Sequence, residues 1–267
     1  MHPLVPIFAA LALLSQSILA ANIRQMKNHK TKDFSQKALL AAIGNNFDSN
    51  IIQKQRSGPL GVVAITLAPN RTYDYSPGSV LPLSCEGIGS PAPVVRWFRN
   101  DRPIYEHDQE SNEVLDPSPT SLARVVSTLL VKQAGPRDEY SCVVVAGGRT
   151  VRATTTVYRK EGAEIPLRTR LLPLAPAVLV SYKVYMEQLG AALALPCKSR
   201  GHPAPDVSWS DNNGRRIEDG ERMRVLKSGE LILKDLRWSD MGEFTCTASN
   251  AHGAVSATTF LYPTKVG

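Results

Sequence analysis

The chain has 267 residues with 31 Lys/Arg against 24 Asp/Glu, a formal charge of +7 and four cysteines. That length suits two ordinary domains. After residue 20 no stretch reaches the ~18 apolar residues of a membrane helix, and the ending "FLYPTKVG" has no terminal hydrophobic run to signal a lipid anchor.

The first element in chain order is a leader. Residues 1–20 include the uncharged run "IFAALALLSQSILA", followed by the small pair Ala20–Ala21. This reads as a secretory signal peptide, although no Lys or Arg precedes the apolar run. The mature protein is therefore expected to be secreted, and this route, more than the charge, excludes nucleic acid as a partner. Residues 21–59 form a basic arm, with seven Lys/Arg and two Asp between Asn22 and Ser57. A solvated arm is the plainer reading; weak attachment to acidic matrix polysaccharide is the other. Within it, "DFSQKALLAAIGNN" has one helical pattern, with Leu39, Leu40 and Ile43 on a side and Gly44 as a stop. It is either a helix docked on a domain or a pro-segment.

From residue 60 the texture becomes short β-type runs between turn residues. A first domain over 60–160 holds "SVLPLSC", "PVVRWFRN", "ARVVSTLLVKQ", "EYSCVVVAGG" and "RTVRATTTVY". A linker is expected over 161–176, and a second domain over 177–263 with "AALALPCKS", "DVSWSDN", "RMRVLKSGELILKDL", "EFTCTASNAHG" and "AVSATTFLYP". Asn213–Gly214, Ser228–Gly229 and Gly147–Gly148 mark turns. Strands at this spacing without a long amphipathic helix predict an all-β fold of two tandem antiparallel sandwiches.

The two domains repeat one phrase. Cys85 is followed by "GSPAPVVRW" and Cys197 by "GHPAPDVSW", with Trp97 and Trp209 each twelve residues after the cysteine. The prolines set an extended bend and remove amide donors where a ladder ends. In an oxidising compartment four cysteines imply two disulfides. The duplication selects one per repeat, Cys85–Cys142 and Cys197–Cys246. Each closes a loop of about 50 residues, worth ~4 kcal/mol in the chain-entropy picture. No CxxC occurs, and the five histidines are scattered, so no metal site is expected.

The cysteine–tryptophan framework, with "LKDLRWSDMGEFTC" in the second repeat, resembles the immunoglobulin superfamily, I-type. The resemblance implies an indole packed over an inter-sheet disulfide, with Tyr140 and Phe244 as core rings two residues before the second cysteine. Two departures stand out. Phe244 lacks the usual hydroxyl, and Pro136-Arg137-Asp138 replaces the D-x-G of the first repeat, so that corner is expected to be unusual. Residues 224–263 further resemble a small invertebrate family of secreted two-domain proteins that bind insulin-like peptides. That family includes insect growth antagonists and crustacean binding proteins for the insulin-like androgenic gland hormone. A nematode group of two-domain proteins that maintains neuronal positions shares the motifs.

The resemblance implies a protein that binds and sequesters an insulin-like peptide. The alternative is an adhesion protein for a cell-surface or matrix partner. No G-x-S-x-G, H-E-x-x-H or phosphate loop suggests an enzyme or a cofactor. The segment "IPLRTRLLPLAPAVLVSYKVY" is too apolar for a solvated linker, so Leu171, Leu172, Leu174, Val178, Leu179 and Val180 are candidate ligand contacts. They would line an exposed groove or pair two sheet edges; otherwise they form the first strand of domain 2. Trp238 is expected to pack against Leu236 and Met241. Asn70-Arg71-Thr72 is the chain's one N-glycosylation sequon.

Overall fold

Period-two alternation dominates the strands. In a computed structural model, which describes residues 61–104, 117–160 and 174–265, the strand "LARVVSTLLV" buries every second side chain. The leader, the basic arm with its helical pattern, and candidates Leu171 and Leu172 lie outside the described residues.

In domain 1 one layer holds β1 (Val62–Leu67), β3 (Leu81–Ser90) and β6 (Leu122–Val131). The other runs β2 (Thr72–Tyr75), β8 (Arg149–Arg159), β7 (Arg137–Ala146), β4 (Val94–Arg99) and β5 (Arg102–Pro103). Cys85 on β3 bonds Cys142 on β7, tying the layers together. Trp97 sits opposite Cys142 and is buried. Its indole N–H donates to Ser127 Oγ at 2.9 Å, satisfying a donor that would otherwise cost free energy in the core.

Domain 2 repeats the plan with a different division of strands. One layer is β10 (Leu193–Leu195), β14 (Leu231–Leu233) and β13 (Met223–Val225). The other contains β12 (Asp206–Ser210), β15 (Gly242–Asn250) and β16 (Gly253–Thr264), with β11 (Cys197–His202) and β9 (Leu174–Gln188) alongside. Pro196 separates β10 from β11 because it has no N–H to continue the ladder. Cys197 bonds Cys246. Trp209 is buried and its indole N–H donates to the Gly229 carbonyl at 2.9 Å. Gly229 is held at φ +97°, and a Cβ there would lie 2.6 Å from the Cys197 carbonyl oxygen, so only glycine brings that carbonyl to the indole. Leu231, Leu233 and Leu236 are buried as the alternation suggests, and Ile232 between them is buried too.

The two departures at the corner before the second cysteine have different outcomes. In domain 2 Asp240 is buried in a 3-10 turn, Trp238–Asp240, where it pairs with Arg222 at 2.5 Å and accepts the Arg237 amide at 2.8 Å. In domain 1 Asp138, four residues before Cys142 rather than six, performs the same task. It accepts from the Gly135 amide, Asn100 Nδ2 and the Arg99 guanidinium. Tyr140 keeps its corner bond to the Gln133 carbonyl at 3.4 Å, and burial pushes its hydroxyl up to about 12. Phe244 is fully buried and needs no partner.

Burial pushes the Asp138 carboxyl up, but the Gly135 amide, Asn100 and Arg99 outweigh it and hold the group below its ordinary value. A depressed folded-state value adds stability above the unfolded value, near pH ~4, and that stability is lost as pH falls through the folded one. Asp138→Asn is therefore expected to lower stability at neutral pH and to flatten its decline below about pH 4. Urea unfolding at a series of pH values checks this; parallel curves for the two proteins would refute it.

β9 departs from the sequence expectation of a linker ending at 176. It is one strand from Leu174 onward, and it lies between two sheet edges. Its first half pairs antiparallel with β11, its second half parallel with β16. Its other edge pairs antiparallel with β6 of domain 1, from Ser127↔Val180 to Leu122↔Met186. The order β1-β3-β6-β9-β16-β15-β12 is therefore one hydrogen-bonded sheet across both domains.

Candidate functional site: a sheet face shared by two domains

The register across β6, β9 and β16 sets two rows of side chains on one face. Partners directly opposite in a ladder share a face. Leu122, Met186 and Tyr262 make one row, and Arg124, Val184 and Phe260 the next. Phe260 is 39% exposed, so this face meets solvent at β16. Trp238 extends it: its ring stands edge-on to Tyr262 at 6.3 Å between centroids. Trp238 and Met241 are each 44% exposed. The expectation that Trp238 packs inward on Leu236 and Met241 is thus corrected. The short 3-10 turn points it outward, while Leu236 fills the core.

The opposite side of β9 anchors the platform. Tyr182 and Tyr185 are buried with ring centroids 5.1 Å apart. Burial raises both phenols above their ordinary range, so they act as neutral donors. Tyr182 donates at 3.4 Å to the carbonyl of Pro93, inside the repeated proline phrase of domain 1, while its own carbonyl accepts from Thr259 Oγ1 at 2.6 Å. One residue of β9 is thus bonded into both domains.

Two buried carboxylates complete the junction. Glu86 on β3 accepts from Arg124 at 2.7 Å and pairs with Lys183. Lys183 occupies the register shift where β6 passes from Arg124↔Val184 to Val125↔Tyr182. The shift turns its ammonium toward Glu86 and keeps Val184 and Met186 on the outer face. Glu187 is buried and accepts from Ser118 of domain 1 and from the Gln188 amide at 2.9 Å. Both carboxylates are hydrogen-bonded across the domain boundary, which offsets the cost of desolvating them.

The sequence-predicted contacts are dispersed by this geometry. Leu179 is 4% exposed and is a packing residue rather than a surface contact. Val178 and Val180 lie partly buried against the core, and Leu174 is at the far end of β9, its carbonyl accepting from Asn250 Nδ2 at 3.0 Å. Leu122, Val184, Met186, Phe260 and Tyr262 were not singled out by sequence reasoning. The signal was present for two of them, since Phe260 and Tyr262 flank Leu261 in "TFLYP" and alternation places both on the face opposite it. For Leu122 and Met186 no local pattern predicts that strands 60 residues apart will pair.

An Immunoglobulin I-set domain match covers residues 176–262. The Drosophila melanogaster protein Neural/ectodermal development factor IMP-L2 is 29% identical over 201 residues, 74% of this chain and 75% of that protein. Zwei Ig domain protein zig-2 of Caenorhabditis elegans is 29% identical over 212 residues, 76% of this chain and 86% of that one. The crystal structure of IMP-L2 matches with a TM-score of 0.67 at 27% identity, covering 76% of this chain and 95% of that one. The two-sandwich architecture, with one disulfide and one buried tryptophan in each sandwich, is that of two tandem immunoglobulin domains, the second of which carries the I-set match, and it agrees with the likeness to IMP-L2.

Proposed function

We propose that the protein is a secreted, non-catalytic binder of an insulin-like peptide hormone, and that it withholds the peptide from its receptor. One observation carries the proposal. The continuous sheet sets Met186 and Tyr262 of domain 2 in a single apolar row, beside Val184, Phe260 and Trp238, and the row runs into domain 1 at Leu122, which is buried. A peptide hormone presents an apolar receptor-facing patch, and burying it needs a preformed platform with aromatic anchors. A rigid sheet suits this, because little conformational freedom is lost on binding. The resemblance of residues 224–263 to the hormone-binding two-domain proteins, and the likeness to IMP-L2 through both domains, support the same reading.

The test is calorimetric titration of the full-length secreted protein with insulin-like peptides of its host, with an unrelated secreted peptide as control. The expected result is saturable binding to an insulin-like peptide with Kd between roughly 1 nM and a few μM, accompanied by a negative heat-capacity change from apolar burial. A folded protein that binds none of them overturns the proposal. The likeness to zig-2 favours a second reading, adhesion to a cell-surface partner. That reading expects cell-bound protein released by salt.

A further inference from the structure

We infer that Asn70 carries an N-linked glycan, and that this glycan guards the open edge of the two-domain sheet against strand addition. The inference rests on secretion and is independent of hormone binding. Asn70, Arg71 and Thr72 are all exposed and form the crossing between β1 and β2. The Asn70 amide nitrogen donates to Tyr73 Oη at 3.1 Å, and the Arg71 carbonyl accepts from the Thr156 amide at 3.0 Å. The backbone of the sequon is held in place, while Asn70 itself is exposed.

The position of this crossing gives the modification a purpose. Among the described residues β1 is the last strand of the large sheet and β2 the last strand of the five-stranded sheet, so the chain passes between two sheet edges at Asn70. β1 reads "VVAITL": four β-branched residues in six, without a charge or a proline. Such a strand at an open edge is a template for pairing with another chain. Natural edges are blunted by lysine, proline or a bulge. β1 has a register shift between Ile65 and Leu67 that interrupts pairing at its end, but the four residues before it carry no such device, and the strand ends on Leu67, 48% exposed. A bulky, hydrophilic glycan three residues further on adds to that protection.

The experiment secretes the full-length chain from insect cells and measures intact mass, with peptide mapping of the segment that contains Asn70. Wild type is expected to exceed the polypeptide mass by one glycan. Asn70→Gln and Thr72→Ala should lose this excess, while Thr72→Ser, which preserves the sequon, should keep it. A wild-type mass equal to that of the processed polypeptide, or an unmodified Asn70 peptide, overturns the inference even if the variants are not secreted. The edge role is read separately by light scattering. Glycan removal from the folded protein should raise the oligomer fraction with concentration, and Ala64→Lys in the Thr72→Ala background should return it to monomer. Deglycosylated protein that remains monomeric at every concentration would refute the edge role.

Discussion

Met186→Asp is expected to weaken binding of an insulin-like peptide by about 30- to 150-fold, equivalent to ~2–3 kcal/mol at a buried hot spot. Met186 stands between Leu122 and Tyr262 in the row that crosses the domain junction. Peptide docking would desolvate that centre, and an uncompensated carboxylate there opposes the burial of apolar surface. In the free protein the side chain is only partly buried, so the charge stays hydrated and the melting temperature should shift by no more than a few degrees. Ala254→Asp, an exposed position on β16 away from the row, is the matched control and should leave affinity unchanged. Calorimetry for affinity and circular dichroism for stability separate the two effects. Undiminished affinity in a folded Met186→Asp protein would remove the platform from the binding surface.

The second large effect is on stability, and it separates two tryptophans of one domain. Trp209→Ala should cost ~3–5 kcal/mol, the usual loss for a buried aromatic ring. The indole lies over the Cys197–Cys246 bridge, and its removal also strips the Gly229 carbonyl of its donor. A domain of this size has about 5–15 kcal/mol of stability in total, so much of the margin goes. Trp238→Ala should cost no more than ~1 kcal/mol, chiefly the edge-to-face contact with Tyr262. It should still reduce affinity for an insulin-like peptide, since Trp238 extends the row of exposed rings. Urea unfolding checks the first pair of values. Equal costs for the two substitutions would mean that the outward orientation of Trp238 is wrong.

The tyrosine corner shows where the sequence was readable and where it was not. Loss of D-x-G in the first repeat signals an altered turn, and the turn is altered. The sequence does not indicate that Asp138 takes the role Asp240 has in domain 2, because that requires Arg99 and Asn100 to arrive from a strand about 40 residues earlier. The segment 165–185 is a similar case. Its apolar character announces burial, but burial alone does not distinguish ligand contact from strand pairing. Leu179 became core, whereas Val184 and Met186, a few residues further on, became partly exposed. Their separation depends on the register shift at Lys183, and a one-residue slip exchanges every side chain between faces.

Period-two alternation between turn residues determines an all-β chain of two sandwiches, the duplicated cysteine phrase selects one disulfide in each, and the resemblance of the cysteine–tryptophan framework to the immunoglobulin superfamily names the fold, because alternation and repetition are legible along the chain itself. Only the tertiary structure decided that the sandwiches share a sheet. That outcome depends on β6 and β9 meeting at their edges, on Glu86 receiving Lys183 across the boundary, and on Tyr182 reaching the Pro93 carbonyl. Each of these contacts joins residues 53 or more apart in the chain, and their free energy exists only once both domains have folded.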